Sequence, residues 1–133
     1  MTTLPARSPR RTPETAEFWE AVSADRFVLP RCNACSTYIW YPRLFCPACG
    51  SLDVSYVEAS GQGTVYSYTV VRKGDGPFRE MTPYVLGIVE LAEGPRLMTN
   101  IVTDDVESIS CGQAVHVVFE PAGESDRIYR FAP

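Results

Sequence analysis

A chain of 133 residues with 45% apolar and 21% charged side chains suits one compact unit, or two small modules sharing a core, and is short for an ordinary enzyme. Its longest apolar run, Val85 to Val89, stops at Glu90, well short of the roughly 20 residues that cross a bilayer. The N-terminal arginines are followed by no apolar stretch, so neither a membrane span nor a secretory signal is expected, and a thiol-reducing cytoplasm is. The net charge of −4 conceals an asymmetry: Arg7, Arg10 and Arg11 stand in an acid-free segment, so the body from Glu14 onward is −7, which argues against binding phosphate backbones.

In chain order, residues 1–13 place Pro5, Pro9 and Pro13 among Ser, Thr and Arg, a composition that resists helix and strand and predicts a flexible arm. Thr12, Pro13 and Glu14 then read as a helix start, with a capping hydroxyl, a proline in the first turn and an acid at the positive dipole end. A short helix over about 14–24 follows, with Phe18, Trp19 and Val22 on one face, so it must lie against apolar surface.

Short strands follow at Phe27 to Leu29, Thr37 to Tyr41 and Val54 to Val57. Between them stand two Cys-x-x-Cys steps, Cys32 to Cys35 and Cys46 to Cys49, ten residues apart. Four thiolates from two tight turns fit a closed tetrahedral zinc site, which leaves the metal no open position for chemistry. Two disulfides or a redox dithiol are the alternatives, and the doubled spacing in a reducing setting favours zinc. In the second knuckle Pro47 pre-sets a turn dihedral and Gly50 can take positive φ; Ser36 stands where the first would have its glycine. So few residues bury too little apolar surface to hold such strands, and zinc supplies the difference. Tyr38, Trp40 and Tyr41 are read as ribbon packing rather than as a stacking platform.

Gly61-Gln62-Gly63 marks a break before a long strand, Thr64 to Arg72, with apolar or β-branched residues on both faces, each expected to touch protein. After the turn Lys73 to Pro77 come strands at Val85 to Leu91, with Gly87 predicting a bulge or close backbone approach, then Leu97 to Val102, Ala114 to Phe119 and Arg127 to Phe131. Five strands with a long curved first one predict a small Greek-key barrel of the OB type, with a small open sandwich as the rival. The expected fold is therefore mainly β: a flexible arm (1–13), an N-terminal helix with a rubredoxin-like zinc ribbon (14–57) and a five-stranded OB-fold barrel (58–133).

No reaction centre emerges. His116, the single histidine, sits in an alternating strand and is expected to face solvent. Cys111 is read as a small buried hydrophobe rather than a nucleophile. Asp104, Asp105 and Glu107 form a solvated loop, and Gly61 to Gly63 leads into a strand, not into a phosphate-binding helix.

The order of Glu17-Phe18-Trp19-Glu20, the two Cys-x-x-Cys steps, the run Gly61 to Val71 and the hairpin from Pro83-Tyr84-Val85 to Gly94-Pro95-Arg96-Leu97-Met98-Thr99-Asn100 resembles the zinc-ribbon/OB-fold proteins associated with acyl-CoA metabolism, formerly a domain of unknown function. The resemblance covers nearly all of the chain from Glu14. It implies a non-catalytic accessory subunit in a hetero-oligomer with a thiolase-fold enzyme, in which ribbon and barrel receive an acyl-CoA or hold the partner, while the catalytic residues belong to the partner. A CoA site needs cations and an apolar groove, so Arg31 and Arg43 beside the ribbon and Arg72, Lys73 and Arg79 around the first barrel loop are candidate contacts. The alternative is a single-stranded nucleic-acid-binding module, because ribbon plus OB barrel also describes such binders; the acidic body opposes it.

Overall fold

The structure, a computed structural model, describes residues 3–133; Met1 and Thr2 of the expected arm lie outside the described residues. Helix α1 (Ala16–Ser23) starts two residues later than expected, with Thr15 at its N-cap. The turn begins earlier: the Thr12 carbonyl accepts from the Thr15 and Ala16 amides at 3.0 and 2.8 Å, which leads Pro13 into the first helical turn. Its apolar side buries Phe18, Ala21 and Val22 and packs against the strands of both modules.

The ribbon is built on β1 (Val28–Cys32) and β2 (Val54–Glu58), antiparallel with Val28 opposite Glu58 and Cys32 opposite Val54. The strand expected at Thr37 to Tyr41 does not form. A single bridge pairs Arg31 with Tyr38, and the Ile39 amide donates to the Pro30 carbonyl. The segment turns inward instead of extending, because Ile39 is the apolar residue that closes over the buried Cys32 and Cys46.

The remaining strands are β3 (Gln62–Val71), β4 (Tyr84–Leu91), β5 (Arg96–Ile101), β6 (Ala114–Ala122) and β7 (Asp126–Ala132). They close into a barrel in the order β3-β4-β5-β7-β6, which is the expected five-stranded OB barrel rather than an open sandwich. All pairings are antiparallel except β5 with β7, which meet only at Ile101 and Phe131. The long β3 serves two neighbours: Gln62 to Thr64 pair with β6, and the register against β4 shifts between Val65 and Ser67. That bulge at Tyr66 supplies the local bend that lets one strand reach both partners. Of the bulge or close approach expected at Gly87, the close approach is what forms: a Cβ there would lie 2.7 Å from Ile101 Cδ1.

One core runs through both modules. Phe18 and Val22 of α1, Val28 and Leu29 of β1, and Val65, Val89, Ile101 and Phe131 of the barrel belong to one buried cluster. The sparse pairing between β5 and β7 is offset by aromatics. Tyr129 of β7 donates its hydroxyl to the Met98 carbonyl at 3.4 Å, and its ring lies 5.9 Å from Trp19, nearly parallel to it, and 6.1 Å from Trp40. Trp40 and Tyr38 thus pack as expected, whereas Tyr41 is 46% exposed.

Among the described residues the arm forms neither helix nor strand, yet it follows the barrel rather than standing in solvent. Arg130, only 4% exposed, donates to the Leu4 and Pro5 carbonyls at 3.0 and 2.7 Å and to Glu120 at 2.5 Å. Further along, Arg11 pairs with Asp126 at 2.8 Å. A buried guanidinium with five donors needs this many acceptors, and a proline-rich segment offers carbonyls not already committed to a helix or sheet. No helix of the described residues is long and apolar enough to cross a membrane.

Candidate functional site

The two Cys-x-x-Cys steps meet. Cys32 ends β1, Cys46 lies beneath Ile39, and the Sγ atoms of Cys32, Cys35, Cys46 and Cys49 all lie within 4.8 Å of one another. Cys32 and Cys49 are 3.6 Å apart, as are Cys35 and Cys46. Zinc–sulfur bonds of about 2.3 Å in a tetrahedron place sulfurs about 3.8 Å apart, so the cluster has the dimensions of the ion, whereas a disulfide requires about 2.05 Å. No disulfide joins any of the five cysteines.

Local backbone explains the geometry. Ser36 and Gly50 both adopt positive φ, and their amides donate back to the Cys32 and Cys46 carbonyls at 2.9 and 2.7 Å. The knuckles are tied together by Asn33, whose amide donates to the Asp53 carbonyl and whose side-chain amide donates to Asp53 Oδ1 and Ser55. The Thr37 hydroxyl, 3.1 Å from Cys35 Sγ, and the Thr37 amide bring the Cys35 thiol down to about 6. At Cys49 the Ser51 amide pulls the other way from the neighbouring Cys32 and Cys35 sulfurs, and the thiol is pushed up to about 12. Without a cation, one thiolate therefore discourages the next, and a divalent ion removes that conflict.

The cations expected at a CoA site fall into separate groups. Arg31 stacks over Tyr38 at 5.3 Å and donates to the Ser36 carbonyl at 3.2 Å. Arg43 lines a concavity with Glu14, Glu17, Leu44 and Leu52. At the far end of the β3-β4 ladder, where Val71 pairs with Tyr84, Arg72 is paired with Glu107 and Arg79 faces Asp75 at 3.8 Å. Lys73 is exposed beside them. The first knuckle instead borders the β4-β5 turn, across a groove lined by Ser36, Trp40, Glu93 and Arg96. The length of β4, about 23 Å at roughly 3.3 Å per residue, separates the two ends, so the five residues do not form one site.

Other expectations need correction. Cys111 is exposed rather than buried. The middle of β3 does not touch protein on both faces: Tyr66 to Thr69 are exposed, and with Leu86 and Met98 they leave an apolar outer face on β3-β4-β5. A polar pair lies outside the residues singled out from sequence: Arg96 lies 3.8 Å over the Tyr66 ring and donates to Glu90 at 2.8 Å. The turn Glu93-Gly94 places Glu90 opposite Arg96 in the hairpin register, which was the available signal. His116 is exposed, as expected, and Glu107 and Asp105 are spent on Arg72 and on capping the turn Val106–Ser108.

Comparison with known proteins gives the same two modules. The rubredoxin-like zinc ribbon domain of ChsH2 matches residues 19–55, and the ChsH2 C-terminal OB-fold domain matches residues 56–120. A probable enoyl-CoA hydratase alpha subunit of Thermomonospora curvata is 48% identical over 99 residues, 74% of this chain and 31% of that protein; the chain thus spans less than a third of that relative. A DUF35 domain-containing scaffold protein of Methanothermobacter thermautotrophicus is 34% identical over 116 residues, 84% of this chain and 85% of that protein. Among solved structures, a chain of an Ltp2-ChsH2(DUF35) aldolase superposes with a TM-score of 0.85 at 39% identity, covering 94% of this chain and 98% of that chain.

Proposed function

The chain belongs to the ChsH2/DUF35 family of zinc-ribbon/OB-fold proteins, and from that premise we propose that it is a non-catalytic subunit that docks on a thiolase-fold enzyme and helps present an acyl-CoA thioester to it. The observation that carries this reading is the match of 94% of this chain to 98% of a chain of an Ltp2-ChsH2(DUF35) aldolase. The residue inventory is consistent with it. Cys111, which lies outside the cluster, and His116, the single histidine, are both exposed, and no pocket among those described brings them together.

The four cysteines would hold a structural zinc, with Cys32 and Cys46 from the buried side and Cys35 and Cys49 from the exposed side. A metal held by four thiolates contributes fold rather than reactivity. The residues that follow from it are those the clasp orients: Trp40 against Phe18 and Tyr129, and Arg31 over Tyr38. We assign the CoA phosphates to the barrel-end cations, where Lys73 is exposed and the acids facing Arg72 and Arg79 are solvent-accessible and displaceable.

Co-expression with a thiolase-fold enzyme is the test. A complex should co-purify, turnover of the acyl-CoA should fall when this chain is omitted, and Arg72→Ala with Lys73→Ala should weaken acyl-CoA binding by the complex about tenfold. Absence of a complex contradicts the reading, and unchanged affinity removes the two cations from the site. The exposed Tyr66 and Tyr68 beside Arg96 favour one competing reading, binding of single-stranded nucleic acid; salt-sensitive oligonucleotide binding without acyl-CoA binding would establish it instead.

A further inference from the structure

Resting on the reading of this chain as a docking subunit, we infer that the second knuckle and the start of α1 form the face that meets the enzyme, and that the enzyme meets it with an apolar surface rimmed by Lys or Arg. Leu52 is 80% exposed, Leu44 58%, Tyr41 46% and Phe45 44%. These four large apolar side chains lie within one short stretch and serve no core of the ribbon, whose buried cluster is Cys32, Ile39 and Cys46. Large apolar groups gathered on one face of a small protein mark an interaction site rather than the scattered exposure of an ordinary surface.

Two of the four share one surface. Leu44 and Leu52 line a single concavity of about 450 Å³ with Glu14, Glu17 and Arg43. Leu44 and Phe45 directly precede Cys46, and Leu52 follows Cys49 by three residues, so the thiol clasp fixes their relative positions. The start of the helix is held to the ribbon by Tyr56, whose hydroxyl donates to the Glu14 carbonyl at 2.8 Å.

The charges identify the occupant. Glu14, Glu17 and Glu20 recur every three residues along one side of the helix start. None of them takes part in the ion pairs of the described residues, and neither does Arg43. Glu14 and Glu17 line the concavity with Arg43, and Glu20 lies in the adjoining one beside the mutually paired Arg26 and Glu58, so the face is net acidic and favours a basic rim on the partner. A second copy of this chain fits poorly, because a two-fold contact would set one net-acidic face against another. The other apolar face, around Tyr68, Leu86 and Met98, names no occupant, since Arg96 beside it is already committed to Glu90 and Tyr66.

The test uses the complex formed with the thiolase-fold enzyme. Leu44→Asp with Leu52→Asp should raise the Kd of assembly at least tenfold, Glu17→Arg with Glu20→Arg should raise it several-fold, and added salt should weaken wild-type assembly more than that of the charge-reversed variant. Zinc content equal to wild type confirms that each variant is folded. Unchanged affinity in both variants overturns the inference. So does a loss confined to Met98→Asp on the barrel face, or a loss of self-association alone, which would make a second copy the occupant. If the wild-type chain forms no complex, the functional reading fails first, and this inference with it.

Discussion

Ser36 and Gly50 hold the same left-handed backbone, at φ 66° and 77°, at the same place after their two Cys-x-x-Cys steps. Only one of them is suited to it. A side chain in this region costs about 1–2 kcal/mol, offset in part because glycine loses about 0.4–1 kcal/mol more unfolded-state entropy. Ser36→Gly should therefore stabilise the protein by roughly 0.5–1 kcal/mol, within the range set by those two terms. Gly50→Ala should cost about 1 kcal/mol for the same backbone reason, although a Cβ there would meet nothing within 4 Å. Denaturant unfolding of metal-matched samples checks both; equal and opposite neutrality would mean that the knuckles tolerate either residue.

Chelation should separate the modules. The ribbon's own buried cluster is Cys32, Ile39 and Cys46, with Val54 packed on it, whereas the barrel contributes Val65, Val85, Val89, Leu97, Ile101, Val115 and Phe131 to the main core. Removing about one zinc per chain is expected to open amide exchange in residues 30–55 and leave β3 to β7 protected. Loss of protection throughout would show that the barrel also depends on the metal.

The parts legible in the sequence were those with a local chemical signature. The Cys-x-x-Cys spacing picked out the four cysteines that the fold gathers, and alternation with turn signals located every barrel strand to within a few residues. What stayed hidden depended on distant partners. Nothing near Leu4 and Pro5 announces that their carbonyls face Arg130, more than a hundred residues away. The outer face of β3 reads as buried because Tyr66, Tyr68 and Val70 are good strand formers, and strand propensity does not distinguish the face that packs from the face left open. Thr37 to Tyr41 also has strand composition, yet closing over the thiols decides its path.

Arg130 makes the arm a structural element. With its guanidinium 4% exposed and Glu120 at 2.5 Å, removing the acid leaves a buried charge supported only by the arm's carbonyls. Glu120→Ala should cost about 3 kcal/mol or more, and deletion of residues 1–9 should cost about 1–3 kcal/mol through two lost acceptors. Combining both should cost more than the sum, because each leaves Arg130 leaning on the other. Thermal unfolding of the two single variants and the double variant measures this; strict additivity would show that the arm and Glu120 act independently.

Stability should fall at alkaline pH. Burial, followed by the charges of Glu17 and Tyr41, pushes the Tyr56 phenol up to about 12, and burial pushes Tyr129 higher than its ordinary value. Free tyrosine loses its proton near about pH 10. Above that pH the unfolded chain binds fewer protons than the folded one, so the contribution is intact below about pH 10 and is lost progressively as pH rises through the folded values. Tyr129→Phe should flatten this decline, since its hydroxyl makes only a 3.4 Å contact with Met98; melting curves between pH 9 and pH 12 that run parallel for both proteins would assign the slope to other groups.

The central claim is that the thiol clasp serves assembly and not chemistry, and Cys46→Ser tests it most directly, because Cys46 is a fully buried member of the cluster. The affinity of this variant for the thiolase-fold enzyme and the kcat of the complex at saturating subunit are measured side by side with wild type. The account predicts weaker assembly, by tenfold or more, with kcat restored once the complex is saturated. Normal assembly with impaired turnover would contradict it.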